Sequence, residues 1–176
     1  VNAQNPVYAL SFEETRAVFA GEILDWSEVG GPAGGIRVYV GSVQGGAVGY
    51  ARDSLLAGGE FAGGAGKAPT TAAIVDSVAS HPDAIGFAGM AEVDDRVKAL
   101  PLGRKGGGPL TVLNVETVYQ KSYPLVRMFY FATRGVPRSN LVSGFVSYVM
   151  GNTGQKIVLE HGIVPATVPL RIRHES

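Results

Sequence analysis

Glycine sets the main limit on what this chain can fold into. It supplies 25 of 176 residues. The doublets Gly30-Gly31, Gly34-Gly35, Gly45-Gly46, Gly58-Gly59 and Gly63-Gly64 and the triplet Gly106-Gly107-Gly108 fall between segments of clear hydrophobic periodicity. Glycine at such junctions interrupts helix and strand and permits sharp reversals. The spacing therefore predicts many short elements joined by tight turns, with no fixed-length repeat. The chain is 45% hydrophobic and 17% charged with zero formal net charge, a composition that argues against intrinsic disorder. A folded chain of this length buries roughly 70% of its unfolded surface, enough for a core without covalent staples. There is no cysteine, so thiol catalysis, Cys-ligated zinc and iron–sulfur clusters are excluded.

No run approaches the roughly 18 consecutive apolar residues of a membrane helix. The opening Val1-Asn2-Ala3-Gln4 has neither a basic nor an apolar leader segment and no initiator Met, and it is read as the start of a mature or excised piece. The zero net charge conceals a division. Residues 1–95 hold 12 acids and 4 bases (net −8), and residues 96–176 hold 3 acids and 11 bases (net +8). The bases of the second half are scattered singly and form no stripe, so the expectation is two solvated surfaces that attract each other or a partner, with no nucleic-acid role.

Local signals place the elements. Ser11-Phe12-Glu13-Glu14 forms a capping box for a helix with Phe12, Thr15, Val18 and Phe19 on one face, ended by Gly21. Residues 36–40 read as a strand entering the glycine-rich loop 41–46, and a helix follows over about 47–56. Pro69-Thr70-Thr71 opens a helix with Ile74, Val75 and Val78 inward. Residues 84–88 and 97–100 read as short strands, and 125–133 as the strongest strand. Ser139 caps a helix carrying Leu141, Val142, Phe145, Val146 and Val149, and a last helix spans 153–161. Strands alternating with helices predict an α/β sandwich.

The strand-to-helix junction is a candidate anion site, because helix N-termini present unpaired amides and glycine lets a ligand approach them. Gly45, Gly46, Ala47 and Val48 occupy that place. Thr70 and Thr71 at the next helix start are further candidate ligand groups, although threonines there are more often caps, and Arg127 reads equally well as an anion contact or an ordinary surface charge. His81, His161 and His174 have no triad partners, and Asp94-Asp95 lacks calcium-loop spacing. No catalysis, metal or cofactor is expected.

Several segments, in order, resemble the PstS-type phosphate-binding proteins of ABC importers, which are class II periplasmic binding proteins. They are Asn5-Pro6-Val7 with Leu10-Ser11-Phe12-Glu13-Glu14; Val18-Phe19-Ala20-Gly21-Glu22-Ile23 with Asp25-Trp26-Ser27-Glu28-Val29-Gly30-Gly31; Ala84-Ile85-Gly86-Phe87-Ala88-Gly89; Tyr123-Pro124-Leu125-Val126-Arg127; and Phe145-Val146-Ser147-Tyr148-Val149, Gly154-Gln155-Lys156-Ile157-Val158 and Gly162-Ile163-Val164-Pro165. The resemblance implies a mixed central sheet flanked by helices. It makes residues 1–7 and 123–132 crossover strands, 8–122 the second lobe, and 133–176 the C-terminal part of the first lobe and a tail. It implies that the N-terminal half of the first lobe lies outside this chain. The helix over 139–150 would then need a partner chain, a second copy, or the second lobe to cover it.

The resemblance also implies an extracytoplasmic protein, periplasmic or extracellular, that binds a small anion such as phosphate and presents it to the membrane subunits of an ABC transporter. The loop departs from the family. Gly41 stands where the family has Arg, and Gly45-Gly46-Ala47 where it has Ser-Gly-Thr. A charge-assisted hydrogen bond contributes roughly 1.5–3 kcal/mol and a neutral one about 1, so the losses weaken binding about a thousandfold. The amides of Gly46, Ala47 and Val48 and the side chains of Ser42 and Gln44 are the remaining candidates there. The alternative is a binding-protein fold kept as an interaction or assembly module, with no small ligand.

Overall fold

The computed structural model describes residues 1–42, 45–135 and 140–167. In chain order the elements are α1 (Phe12–Ala20), β1 (Arg37–Gly41), α2 (Gly46–Ser54), β2 (Gly66–Ala68), α3 (Thr71–Ala79), β3 (Ala84–Gly86), α4 (Val115–Tyr119), α5 (Asn140–Met150) and α6 (Asn152–Glu160). Single 3₁₀ turns lie at Trp26–Val29 and Met90–Glu92. The strands form one sheet in the order β2-β1-β3. Both pairings are parallel, with Val40 opposite Lys67 and Val38 opposite Ile85. Antiparallel contact is confined to isolated bridges such as Asn2 with Val97, so the mixed sheet of the expectation is, among the described strands, a parallel one.

Strand alternation divides the core between the two faces of this sheet. Val38, Val40 and Ile85 join Phe12, Val18 and Phe19 of α1, Trp26, and Leu55 and Leu56 beyond α2. On the other face Ala68 and Ala84 meet Ile74, Val75 and Val78 of α3. The approach of α3 to β3 needs a glycine, because a Cβ at Gly86 would overlap the Cγ2 atom of Ile74. Trp26 is 3% exposed, and its indole N–H donates to the Asp83 carbonyl at 3.0 Å.

The local signals hold. Ser11 and Glu14 cap α1 reciprocally, and Gly21 ends it at φ 75°. Asn2 and Asn5 tie the start of the chain to the end of α3: the Asn2 side chain donates to the carbonyls of Val78 and Ala79, and that of Asn5 to Pro82.

Two expected strands are absent. Residues 97–100 make one bridge at Val97 and no strand. Residues 125–133, the strongest strand in the sequence reading, are irregular. A β-rich composition describes side chains suited to a pleated, half-buried surface, and the ladder itself requires a neighbouring strand. Among the described residues 125–133 has none. The Ser139 cap lies outside the described residues, while α5 forms as expected and packs chiefly against α6. Its apolar side does not fold back onto the sheet: Leu141 is 83% exposed and Phe145 57%. Phe131 meets Phe145 edge to face at 5.8 Å, and Phe129 and Tyr130 are exposed as well.

Candidate anion-binding site

β1 is the central strand, and its C-terminal end leads through Ser42 into α2. A doubly flanked parallel sheet places this turn outside the carboxyl ends of its strands, where such sheets hold their ligands. Ser42 is tied to the sheet by its own amide, which donates to the Ala68 carbonyl at 2.8 Å. Gly45 is the N-cap of α2 and has no side chain to satisfy the terminal amides, while its carbonyl accepts from Gly49 at 2.9 Å. The N–H groups of Gly46, Ala47 and Val48 are the ones a helix leaves without internal acceptors. The first turn of α2 carries no acid.

Arg127 comes to this point from the far end of the chain. A Cβ built on Gly46 would lie 2.5 Å from its Nη1 atom, so the guanidinium packs directly over the Gly46 backbone. Its Cζ sits 4.6 Å from the centroid of the Phe129 ring, a cation–π contact that orients it. The Tyr50 hydroxyl of α2 donates to the Val126 carbonyl at 3.0 Å and pins the same segment to the helix. Among the described residues no carboxylate pairs with Arg127. A positive side chain set against the positive end of a helix dipole is unfavourable unless negative charge lies between them.

The other expected residues divide. Ser42 and Val48 line one open cleft of about 200 Å³ together with Gly41, Arg52, Glu60, Phe61 and Lys67. Gln44 lies outside the described residues. Thr70 caps α3 by accepting from the Ala73 amide at 3.1 Å, and the Thr71 hydroxyl donates to Glu92 at 2.5 Å. Both threonine hydroxyls are thus engaged away from α2. The sequence reading missed Arg52 and Lys67 as cleft residues; a cation one turn after Val48 on the same helix face is the signal that marks Arg52.

Other charged groups serve the fold. The Ser27 hydroxyl and the amides of Ser27 and Gly34 hold the Asp25 carboxyl below its ordinary value. Arg96 pairs with Asp76 and Asp94. It is the one described base of the second half in an ion pair with an acid of the first, so the attraction between the halves is narrow. The His81 Nδ1–H donates to the Ser77 carbonyl at 2.9 Å, with the Tyr39 hydroxyl 3.3 Å from the same nitrogen, and His161 contacts the Ile157 carbonyl at 2.9 Å near the end of α6. Burial pushes the Tyr123 phenol up to about 12, and its hydroxyl donates to the Leu100 carbonyl at 3.1 Å.

Residues 1–153 match the family description of the PBP superfamily domain. The chain belongs to the PBP superfamily. Over its whole length it is 24% identical to the phosphate-binding protein PstS of Pseudomonas aeruginosa, and it covers 58% of that protein. A shorter stretch, 54% of the chain, is 24% identical to phosphate-binding protein PstS 2 of Streptococcus agalactiae and covers 31% of it. Among solved structures, the ABC-type phosphate transport receptor of Vibrio cholerae superposes at TM-score 0.78 with 23% identity, over 93% of this chain and 66% of that one. A phosphate ABC transporter substrate-binding protein with bound phosphate from Clostridium perfringens superposes at 0.79 with 22% identity, over 94% and 66%. This PBP-superfamily chain therefore has the fold of those receptors, and it spans less than two thirds of their length. No described helix is long and apolar enough to cross a membrane.

Proposed function

We propose that this chain is the larger part of an extracytoplasmic solute receptor of the phosphate-importer type. It binds a small oxyanion, with orthophosphate the first to test, between the amides of Gly46, Ala47 and Val48 and the guanidinium of Arg127. The protein works by binding, without a catalytic step, and presents the anion to the membrane subunits of an ABC transporter. In this reading residues 1–7 and 123–132 are the crossovers between two lobes, 8–122 form one lobe, and 133–176 belong to the other.

The observation that carries the reading is the guanidinium lying over Gly46 at an acid-free helix N-terminus. It supplies in space the cation that Gly41 does not supply in sequence, and so restores the charge-assisted contribution of roughly 1.5–3 kcal/mol. The two hydroxyl contributions of about 1 kcal/mol each stay lost, a deficit of about thirtyfold. Calorimetric titration of the full chain with orthophosphate at low salt tests it. The expected result is saturable binding that falls at least tenfold in Arg127→Gln. No heat at millimolar phosphate overturns it.

The second reading, an assembly module without a small ligand, is favoured by the uncovered apolar side of α5. Burying Leu141, Phe145 and Tyr148 is worth roughly 1.5–3 kcal/mol each, so this side favours a covering polypeptide over water.

A further inference from the structure

The cleft that Ser42 and Val48 share runs from the end of β1 along the Val48–Arg52 side of α2. One wall is Val48 and Arg52, which are one turn apart and so about 6 Å along the helix axis. The other is Lys67, which faces the α2 side of edge strand β2 because it pairs with Val40, a residue of the α1–α2 core. Phe61 and Glu60 complete the rim. Two cations meet one carboxylate here. Arg52 reaches Glu60 through Nη2 at 3.3 Å, but Glu60 is 79% exposed, and the buried Arg52 Nε–H has no acceptor. Lys67 forms no ion pair among the described residues, its recorded contact being the Phe61 ring at 6.0 Å. A buried donor without an acceptor is costly, and a ligand oxygen beside Arg52 relieves that cost. The volume of about 200 Å³ is several times the ~30 Å³ share of one water, so there is room beyond a single phosphate group.

We propose that this cleft extends the anion site and receives the second charged group of a ligand with two linked anionic groups, of which diphosphate is the simplest. The inference rests on the oxyanion reading of the α2 N-terminus. One group sits at the amides of the first turn beside Ser42. The other lies one turn along, held by Arg52 and Lys67, with Glu60 opposing it. The balance of charge in the cleft makes Glu60 a brake on affinity.

Titration of the full chain with orthophosphate and with diphosphate, at matched ionic strength, tests the proposal. Wild type is expected to bind diphosphate at least tenfold more tightly. Lys67→Gln and Arg52→Gln are expected to remove most of that preference while leaving orthophosphate affinity within about twofold, and Glu60→Gln to raise diphosphate affinity several-fold. Because Arg52 is partly buried, exposed Lys67 and Glu60 provide the variants least coupled to folding. Lys105→Gln with Lys121→Gln is the control for long-range charge. These cations line a separate cleft at the opposite, Ser54, end of α2, and the pair is expected to alter both affinities alike and weakly. Equal affinity for the two anions, or a control pair that lowers diphosphate binding as much as Lys67→Gln does, overturns the extension alone. Binding of neither anion overturns the oxyanion reading along with it.

Discussion

A guanidinium resting on a helix N-terminus and a glycine that leaves room for it form a matched pair, and each has a separable energy. Alanine at position 46 is a better helix former than glycine by about 1 kcal/mol, yet its Cβ would lie 2.5 Å from Arg127 Nη1. Gly46→Ala is therefore expected to leave the melting temperature unchanged or raised and to weaken orthophosphate binding by displacing the guanidinium. A parallel loss of stability and affinity would contradict the contact. Thr70 supplies the converse case. Its hydroxyl caps α3, so Thr70→Ala is expected to cost about 1 kcal/mol in a denaturant titration with affinity unchanged; a selective loss of affinity would restore the hydroxyl to the ligand. Tyr123 carries a pH dependence. Its folded value is raised by burial from 10.0 to about 12, so the folded state holds this proton more tightly than the unfolded one. The stability it contributes is complete below pH 10 and is lost as the pH rises through 12. Tyr123→Phe is expected to flatten the alkaline limb of the stability curve between those values, and an unchanged limb would contradict the assignment.

Elements were legible in the sequence wherever their causes are local. The Ser11–Glu14 capping box, the Gly21 stop and the Thr70 cap require only residues within one turn, and α1 and α3 appear where those signals placed them. The strand at 36–40 was readable to within one residue because buried Val38 and Val40 alternate with the less buried Arg37, Tyr39 and Gly41. The segment 125–133 failed as a strand for the opposite reason, since a ladder depends on a partner that no local pattern encodes. The site behaved likewise. Gly46 to Val48 and Arg127 were each readable as candidate anion contacts, one from helix-end chemistry and the other from its charge. Their meeting depends on Tyr50 pinning the Val126 segment to α2, a contact between distant parts of the chain. Arg52 and Lys67 needed the register of β2 against β1 before they could share a cleft.

At the scale of the whole molecule, the two cores bury the apolar side chains of the sheet, α1 and α3, while those of α5 and 129–131 stay exposed. Leu141, Phe145, Tyr148 and Phe131 are exposed, and Phe131 meets Phe145 edge to face, an apolar patch of the kind that marks an interaction surface. Sedimentation of the chain is expected to show concentration-dependent association that Leu141→Lys with Phe145→Glu reduces. A wild type that stays monomeric at every concentration, with the variant unchanged in stability, would show that this surface tolerates water.

The central claim concerns one place, the first turn of α2 facing Arg127. Amide chemical shifts of the full chain, followed by two-dimensional NMR during an orthophosphate titration, examine it most directly. The account predicts saturable shifts concentrated at Gly46, Ala47 and Val48, abolished by Arg127→Gln while the rest of the spectrum keeps its dispersion. Amides at 46–48 that stay still at saturating phosphate, or that move identically without the guanidinium, would contradict it.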